Sequence, residues 1–314
     1  MTDITVRRVA PGDVEAAGRL CTEALFLDEH ADLLPRALMR QSPHGVVALA
    51  GTELVGVCLT SAGDDPLVGY VDLIAVAPAY QGKGIGGRLL AAAEVQLGSA
   101  TVRATGNPPH YAWPGVDVRY DRAVCLFESA GYRRGRCEVN MSVDLETAPF
   151  DPGDDERRLA EQGIDVRHAG PGDAAWLLAD LAAWWKPSWL AEVEAALHKD
   201  DATLIIAVRD GECLGFNMYG VSRPNYSGPC GVRPDAQRSG LGTVLVRRSM
   251  AEQRRLGYTR AEFQWIGPYP VIARMLRVPT DPTLFTYTNR MFVVFTKETG
   301  PTSGQPRPAP RTAG

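Results

Sequence analysis

Lysine is scarce in this chain of 314 residues: only Lys83, Lys186, Lys199 and Lys297 occur, so nearly all of the positive charge is arginine. The net charge of −4 leaves no basic surplus to neutralise phosphates, which argues against general nucleic-acid binding. Long apolar runs are missing as well. No stretch approaches the roughly 20 residues that cross a bilayer, and the opening MTDITVRRVAPGD lacks the apolar segment of a secretory signal. A soluble cytoplasmic protein that does not engage membranes is therefore expected. Cysteine is sparse and scattered, at positions 21, 58, 125, 137, 213 and 230, with no CxxC and no histidine-rich partner segment. Neither a disulfide framework nor a metal site is expected from that spacing; buried thiols in a reducing compartment are.

What remains is a globular composition, 45% hydrophobic and 22% charged, on a chain long enough for two domains. The chain also says the same thing twice. ITVRRVAPGD at residues 4–13 returns as IDVRHAGPGD at 164–173, an offset of 160. The glycine-rich turn Gln81-Gly82-Lys83-Gly84-Ile85-Gly86 returns as Gln237-Arg238-Ser239-Gly240-Leu241-Gly242, an offset of 156. Two landmarks in one order at matching offsets mean an internal duplication.

The pattern of elements duplicates too. In each copy a strand leads into a Pro-Gly-Asp turn, whose aspartate can N-cap a helix. A hairpin, a further strand, the glycine-rich turn and a second helix follow. Residues 101–104, 122–129 and 139–145 read as a strand, a late helix and a closing strand, and 289–295 closes the second copy. The expected organisation is an N-terminal domain at 1–147, a Pro- and charge-rich linker at 148–163, a C-terminal domain at 164–298 and a disordered tail at 299–314.

A strand feeding a glycine-rich turn that opens a helix suits a phosphate, because backbone N–H groups converge there and the helix N-terminus adds partial positive charge. A single such turn is equally a tight connection; two in matching places favour a binding role. A Walker loop is excluded, since Lys83 is followed by glycine and Ser239 is preceded by arginine. A dinucleotide fold would carry its turn after the first strand, and these come after about the fourth.

The block LIAVAPAYQGKGIGGRLL at 73–90, and more loosely GVRPDAQRSGLG at 231–242, resembles the most characteristic segment of the GNAT superfamily of acyl-CoA-dependent N-acyltransferases, in its tandem form. The resemblance covers most of 4–145 and 164–295. It implies an α/β fold of two tandem GNAT-like domains, each a mixed, mostly antiparallel sheet flanked by helices. It also implies acetyl-CoA, or another acyl-CoA, as donor. Backbone of Ile74, Ala75 and Val76 would then pair with the pantetheine arm, while Gln81, Gly82, Lys83, Gly84, Ile85, Gly86 and Arg88 cradle the pyrophosphate. The equivalents are Cys230, Gly231 and Val232 with Gln237, Arg238, Ser239, Gly240, Leu241 and Gly242.

The chain departs from the family where many members place a proton-donating tyrosine in the late helix: the position holds Phe127 in one copy and Ile272 in the other. Three possibilities stay open. Tyr111, Tyr120, Cys125 or water serves as acid; or a thiolate leaves well enough without one; or one copy is dead. For a base, period-2 alternation puts Tyr70, Asp72, Ile74 and Val76 on one face, so Asp72 is the candidate, needing a pKa raised toward neutrality. Two aromatic loops, at 106–118 with His110, Tyr111 and Trp113 and at 265–269, read as acceptor surface or as packing. Asp28, Glu29 and Asp32 would suit a cationic amine.

The function expected is acetyl or longer acyl transfer to a primary amine of a small molecule or peptide, in secondary metabolism or antibiotic resistance. The alternative is a non-catalytic acyl-CoA sensor. On its residues the first copy is favoured for chemistry. The acceptor, the acyl length and the oligomeric state are left open.

Overall fold

The computed structural model describes residues 3–299 apart from 41–43, 110, 147–149, 268, 279–280 and 286. His110 and the tail at 300–314 lie outside the described residues. The first repeat runs β1 (Ile4–Arg8), α1 (Val14–Ala24), α2 (Leu34–Met39), β2 (Gly45–Ala50), β3 (Glu53–Ala62), β4 (Val68–Val76), α3 (Ile85–Leu97), β5 (Thr101–Ala104), β6 (Val116–Asp117), α4 (Asp121–Ser129) and β7 (Arg133–Asp144). A helix α5 (Gly153–Glu161) leads into the second: β8 (Asp165–His168), α6 (Ala174–Ala182), α7 (Pro187–His198), β9 (Thr203–Arg209), β10 (Glu212–Tyr219), β11 (Tyr226–Val232), α8 (Leu241–Arg255), β12 (Arg260–Phe263), α9 (Tyr269–Met275), β13 (Arg277–Val278), β14 (Asp281–Phe285) and β15 (Tyr287–Glu298).

The duplication is visible in atomic detail at the Pro-Gly-Asp turns. Arg7 Nη1 and Nη2 fork onto Asp13 at 2.7 and 2.8 Å, and Arg167 forks onto Asp173 at 2.9 and 2.7 Å. Each aspartate also accepts the N–H three residues back, from Ala10 at 2.8 Å and Gly170 at 2.9 Å. The carboxylate thus locks the turn before the helix instead of capping the helix itself.

One large sheet joins the repeats in the order β1-β2-β3-β4-β5-β15-β7-β12-β11-β10-β9-β8, with β6 beside β15. Among the described residues only β4–β5 and β11–β12 are parallel. The closing strands are exchanged. β15 pairs with β5 of the first repeat, Phe295 opposite Ala104, and β7 pairs with β12 of the second, Ala261 opposite Val143. Side chains follow their strands: Phe292 and Phe295 are fully buried in the two clusters of the first repeat, and Met141 and Val143 in a cluster of the second. Each buried Phe stabilises by about 1.5–3 kcal/mol, so the exchange welds the halves together. The strands at 139–145 and 289–295 therefore exist as expected but close the other half. Apolar alternation reports that a strand has a buried face, not which sheet edge it joins.

The stretch expected as linker is also part of the fold. Leu159 on α5 is fully buried against Leu241, Val244 and Leu245 of the second repeat. In the first repeat α1 and α2 cover one side of the sheet, with Val57, Leu59, Leu73 and Ala75 beneath them. Helices α3 and α4 cover the other, over Cys58, Val71, Ile74 and Val76.

Candidate functional site

The site begins where β4 leaves β5. The two strands pair from Val68 opposite Thr101 to Val71 opposite Ala104, and beyond that β4 keeps only β3. A cavity of about 770 Å³ fills the opening. Leu73, Ile74, Ala75 and Val76 wall one side, Ala123, Leu126 and Phe127 of α4 the other, and the turn at 81–87 closes one end.

Gly82 (φ 73°) and Gly84 (φ 77°) bend that turn into the left-handed region, and Gly84 caps α3. A Cβ at either would meet no protein atom within 4 Å, so the backbone is free for a ligand to approach. Gln81 Nε2 donates to Val76 O at 2.9 Å and ties the turn to the end of β4. Arg122 Nη1 in turn donates to Gln81 Oε1 at 3.1 Å. Arg122, which lines the cavity, carried no sequence signal, because nothing in the spacing links the start of α4 to this turn. Lys83 and Arg88 stand outside the cavity wall, with Lys83 Nζ on Ala79 O at 2.8 Å and Arg88 Nη2 on Ile4 O at 2.7 Å.

The second turn has the same frame and a different surface. Gln237 Nε2 donates to Val232 O at 3.2 Å and Gly240 (φ 89°) caps α8. Arg238 stands at the place of Gly82, with φ 66°. Arg158 of α5 donates to Ser239 O at 3.2 Å and would stand 2.9 Å from a Cβ on Gly240. The Trp185 ring would meet a Cβ on Gly231 at 2.7 Å, and Met275 Cε one on Gly242 at 3.0 Å. Cys230 packs against the core that contains Val246 and Met250. The second turn is thus covered by the chain's own side chains. Trp185 and Trp189 stack at 5.2 Å over Phe216, a packing role.

The candidate acids and base fall in three places. Asp72 is 3% exposed and absent from the cavity wall. A bulge, where Thr60 pairs with Val71 and Leu59 with Leu73, skips Asp72 and breaks the alternation, so Val71 and Ile74 face α3 while Leu73 and Ala75 face α1. Burial pushes the Asp72 carboxyl up to about 8 against a hydrogen bond with Ser61. Tyr111 is buried at the junction of the repeats, its ring on Trp265 at 4.7 Å and its hydroxyl 3.4 Å from Glu192 Oε2, outside the cavity. The two aromatic loops therefore pack on each other. Burial pushes Glu192 up to about 8.

Tyr120 does line the cavity, as does Cys125. The Tyr120 hydroxyl donates to Asp28 Oδ2 at 2.9 Å and accepts the Leu27 N–H at 3.1 Å. Burial, then the adjacent Asp28 carboxylate, raise its pKa far above the ordinary phenol value. The phenol holds its proton. Burial alone would raise Asp28, but Arg223 and Arg290 overturn that and hold it below the usual carboxylate range. Arg223 Nη1 reaches Asp28 Oδ1 at 2.7 Å and Arg290 Nη2 reaches it at 3.1 Å. Asp28 is consumed by guanidinium groups and is not free for a cationic amine.

Among the described residues no group of three His, Cys, Asp or Glu side chains gathers as a metal site, and no helix is long and apolar enough to cross a membrane.

The chain resembles known proteins over nearly its whole length. The acetyltransferase (GNAT) family profile matches residues 14–131 and 174–268. A mycothiol acetyltransferase of Geodermatophilus obscurus is 29% identical over 80% of this chain and 85% of its own. One of Streptomyces avermitilis is 31% identical over 77% of this chain and 79% of its own. A tandem GNAT protein from the clavulanic acid biosynthesis pathway superposes with a TM-score of 0.67, at 18% identity, over 96% of this chain and 100% of the other. With one domain motif matched twice on a duplicated, mostly antiparallel sheet, the chain belongs to the GNAT acetyltransferase family and is an acetyl-CoA-dependent acetyltransferase.

Proposed function

We propose that the first repeat is the catalytic one, and that it acetylates the amine of a small thiol of the mycothiol class. The observation that carries the choice of repeat is the contrast between the turns: open space above Gly82 and Gly84, Arg158 above Gly240. The choice of acceptor follows the relatives, which are mycothiol acetyltransferases.

The residues present fit acetyl-CoA. The turn at 81–86, with Arg122 beside it, would hold the pyrophosphate, and the edge of β4 at 74–76 would hold the pantetheine arm. The bound thioester supplies an activated acetyl group. The far end of the cavity, walled by Phe26, Trp113, Asp117, Arg119 and Tyr120, would take the acceptor. Phe127 cannot donate a proton, and Tyr120 is held neutral by burial and then by Asp28, its pKa far above a thiol's of about 8.5. Without a positioned acid, the thiolate released as the acceptor's neutral amine takes the acetyl group would draw its proton from solvent, and solvent would accept the proton that the amine gives up. Positioning in a largely apolar slot then supplies most of the acceleration.

The test is incubation of the full chain with acetyl-CoA and deacetylated mycothiol, with a panel of amino acids and amino sugars as controls, followed by mass spectrometry of the products. Acetylated mycothiol supports the reading. Preference for another amine overturns the acceptor, and no product from any amine overturns the catalytic assignment.

A further inference from the structure

Two arginines of the second repeat are buried behind the wall of the first cavity, one of them on Asp117 of that wall. Arg290, on the exchanged strand β15, uses all three of its nitrogens. Nη1 donates to Glu262 Oε2 at 2.7 Å, Nη2 to Asp117 Oδ2 at 2.8 Å and Asp28 Oδ1 at 3.1 Å, and Nε to Asp117 Oδ2 at 3.2 Å. Arg223, between β10 and β11, holds Asp28 Oδ1 at 2.7 Å and the Glu29 carbonyl at 2.6 Å. Trp113 Nε1 donates to the same Asp28 oxygen at 3.0 Å. Asp117 is clasped from the cavity side by Arg119, Nη2 to Oδ2 at 2.6 Å and Nε to Oδ1 at 3.0 Å. The side chains of Asp28, Asp117, Glu262, Arg223 and Arg290 are between 0% and 8% exposed. With Arg119, three carboxylates face three guanidiniums, and the charge balances.

A buried ion cluster is poor evidence of stabilisation, because a packed apolar core of equal volume does as well or better. What a fork of hydrogen bonds does supply is fixed direction. Here two of the directions run toward the cavity: Asp28 Oδ2 fixes the Tyr120 hydroxyl, and Asp117 fixes Arg119. None of these bonds touches the turn at 81–86. We propose that the second repeat serves as a built-in subunit of the first site, with Arg290 a positioning residue that sets the acceptor wall of Tyr120 and Arg119 through Asp28 and Asp117. The proposal rests on the reading of the first cavity as catalytic.

The test uses the full chain, acetyl-CoA and deacetylated mycothiol. Arg290→Met alone strands buried carboxylates and risks unfolding, so the main variant is the charge-balanced pair Arg290→Met with Glu262→Gln, beside Arg290→Lys. Steady-state kinetics give kcat and the acceptor KM, calorimetry gives the acetyl-CoA Kd, and hydrogen exchange follows the Leu27 amide, which reports whether the Tyr120 hydroxyl stays in place. A displaced wall lowers acceptor kcat/KM by about 10- to 100-fold, as misplacement by an ångström does. The acetyl-CoA Kd stays within about 2-fold and Leu27 exchanges about 10-fold faster, since one local hydrogen bond is lost. Arg290→Lys, which keeps the charge and loses the fork, falls between. Unchanged acceptor kinetics and Leu27 exchange in a folded variant overturn the proposal, as does a loss confined to the acetyl-CoA Kd. If the wild type acetylates nothing, the functional reading fails, and Leu27 exchange still decides whether Arg290 positions Tyr120.

Discussion

Replacing Asp72 with asparagine separates two roles that one carboxylate could play, and the structure assigns a size to the difference. The folded carboxyl titrates at about 8 against an ordinary 3.8, because it is buried. Between those values the folded chain binds a proton that the unfolded chain has released, so stability falls as pH rises from about 4 to about 8 and levels off above. At about 1.36 kcal/mol for each pKa unit, the full cost is about 5–6 kcal/mol, an upper bound, since local rearrangement relieves part of it. Asparagine carries no such cost. The stability of Asp72→Asn relative to wild type should therefore rise by about 4 kcal/mol between pH 5 and pH 8, read from urea titrations at the two values. Acetyl transfer at neutral pH should fall less than about 10-fold, against the 10²–10⁴-fold expected for loss of a positioned base. A stability difference independent of pH, or a kcat loss of 10²-fold or more, refutes the reasoning.

Other expectations follow from the same geometry. Gly84→Val puts a β-branched side chain at φ 77° over the open side of the turn, and should weaken acetyl-CoA binding by about 10-fold or more in calorimetry while costing about 1–2 kcal/mol in stability. Tyr120→Phe should lower kcat/KM by less than about 10²-fold and leave the alkaline limb of the pH–rate profile in place, because burial and Asp28 hold the proton on the phenol. Phe295→Ala, in the second repeat by sequence, should destabilise by about 3–5 kcal/mol and speed hydrogen exchange along α3, since Phe295 is fully buried in the cluster that contains Leu89 and Leu90.

The sequence carried the duplication, the two glycine turns and most of the elements, because each is a local pattern of a few residues. It did not carry the strand exchange, which depends on which of two chemically similar sheet edges a strand meets. Arg290 and Asp28 look like a strand arginine and a loop aspartate, and only the exchange brings them within 3.1 Å. The face of Asp72 was not legible for another reason: alternation assumes an unbroken strand, and the bulge opposite Leu59 and Thr60 breaks it. Arg158 was read as part of a charged linker because its helix is short and mostly polar, with Leu159 its fully buried anchor.

The most direct measurement is a crystal structure of the full chain soaked in acetyl-CoA. The ligand is expected in the first repeat, with its pyrophosphate on the turn at 81–86 and its thioester in the opening beyond Val71, and with Arg158 still seated on Ser239. Acetyl-CoA on the turn at 237–242, with Arg158 displaced and the first cavity unliganded, would contradict it.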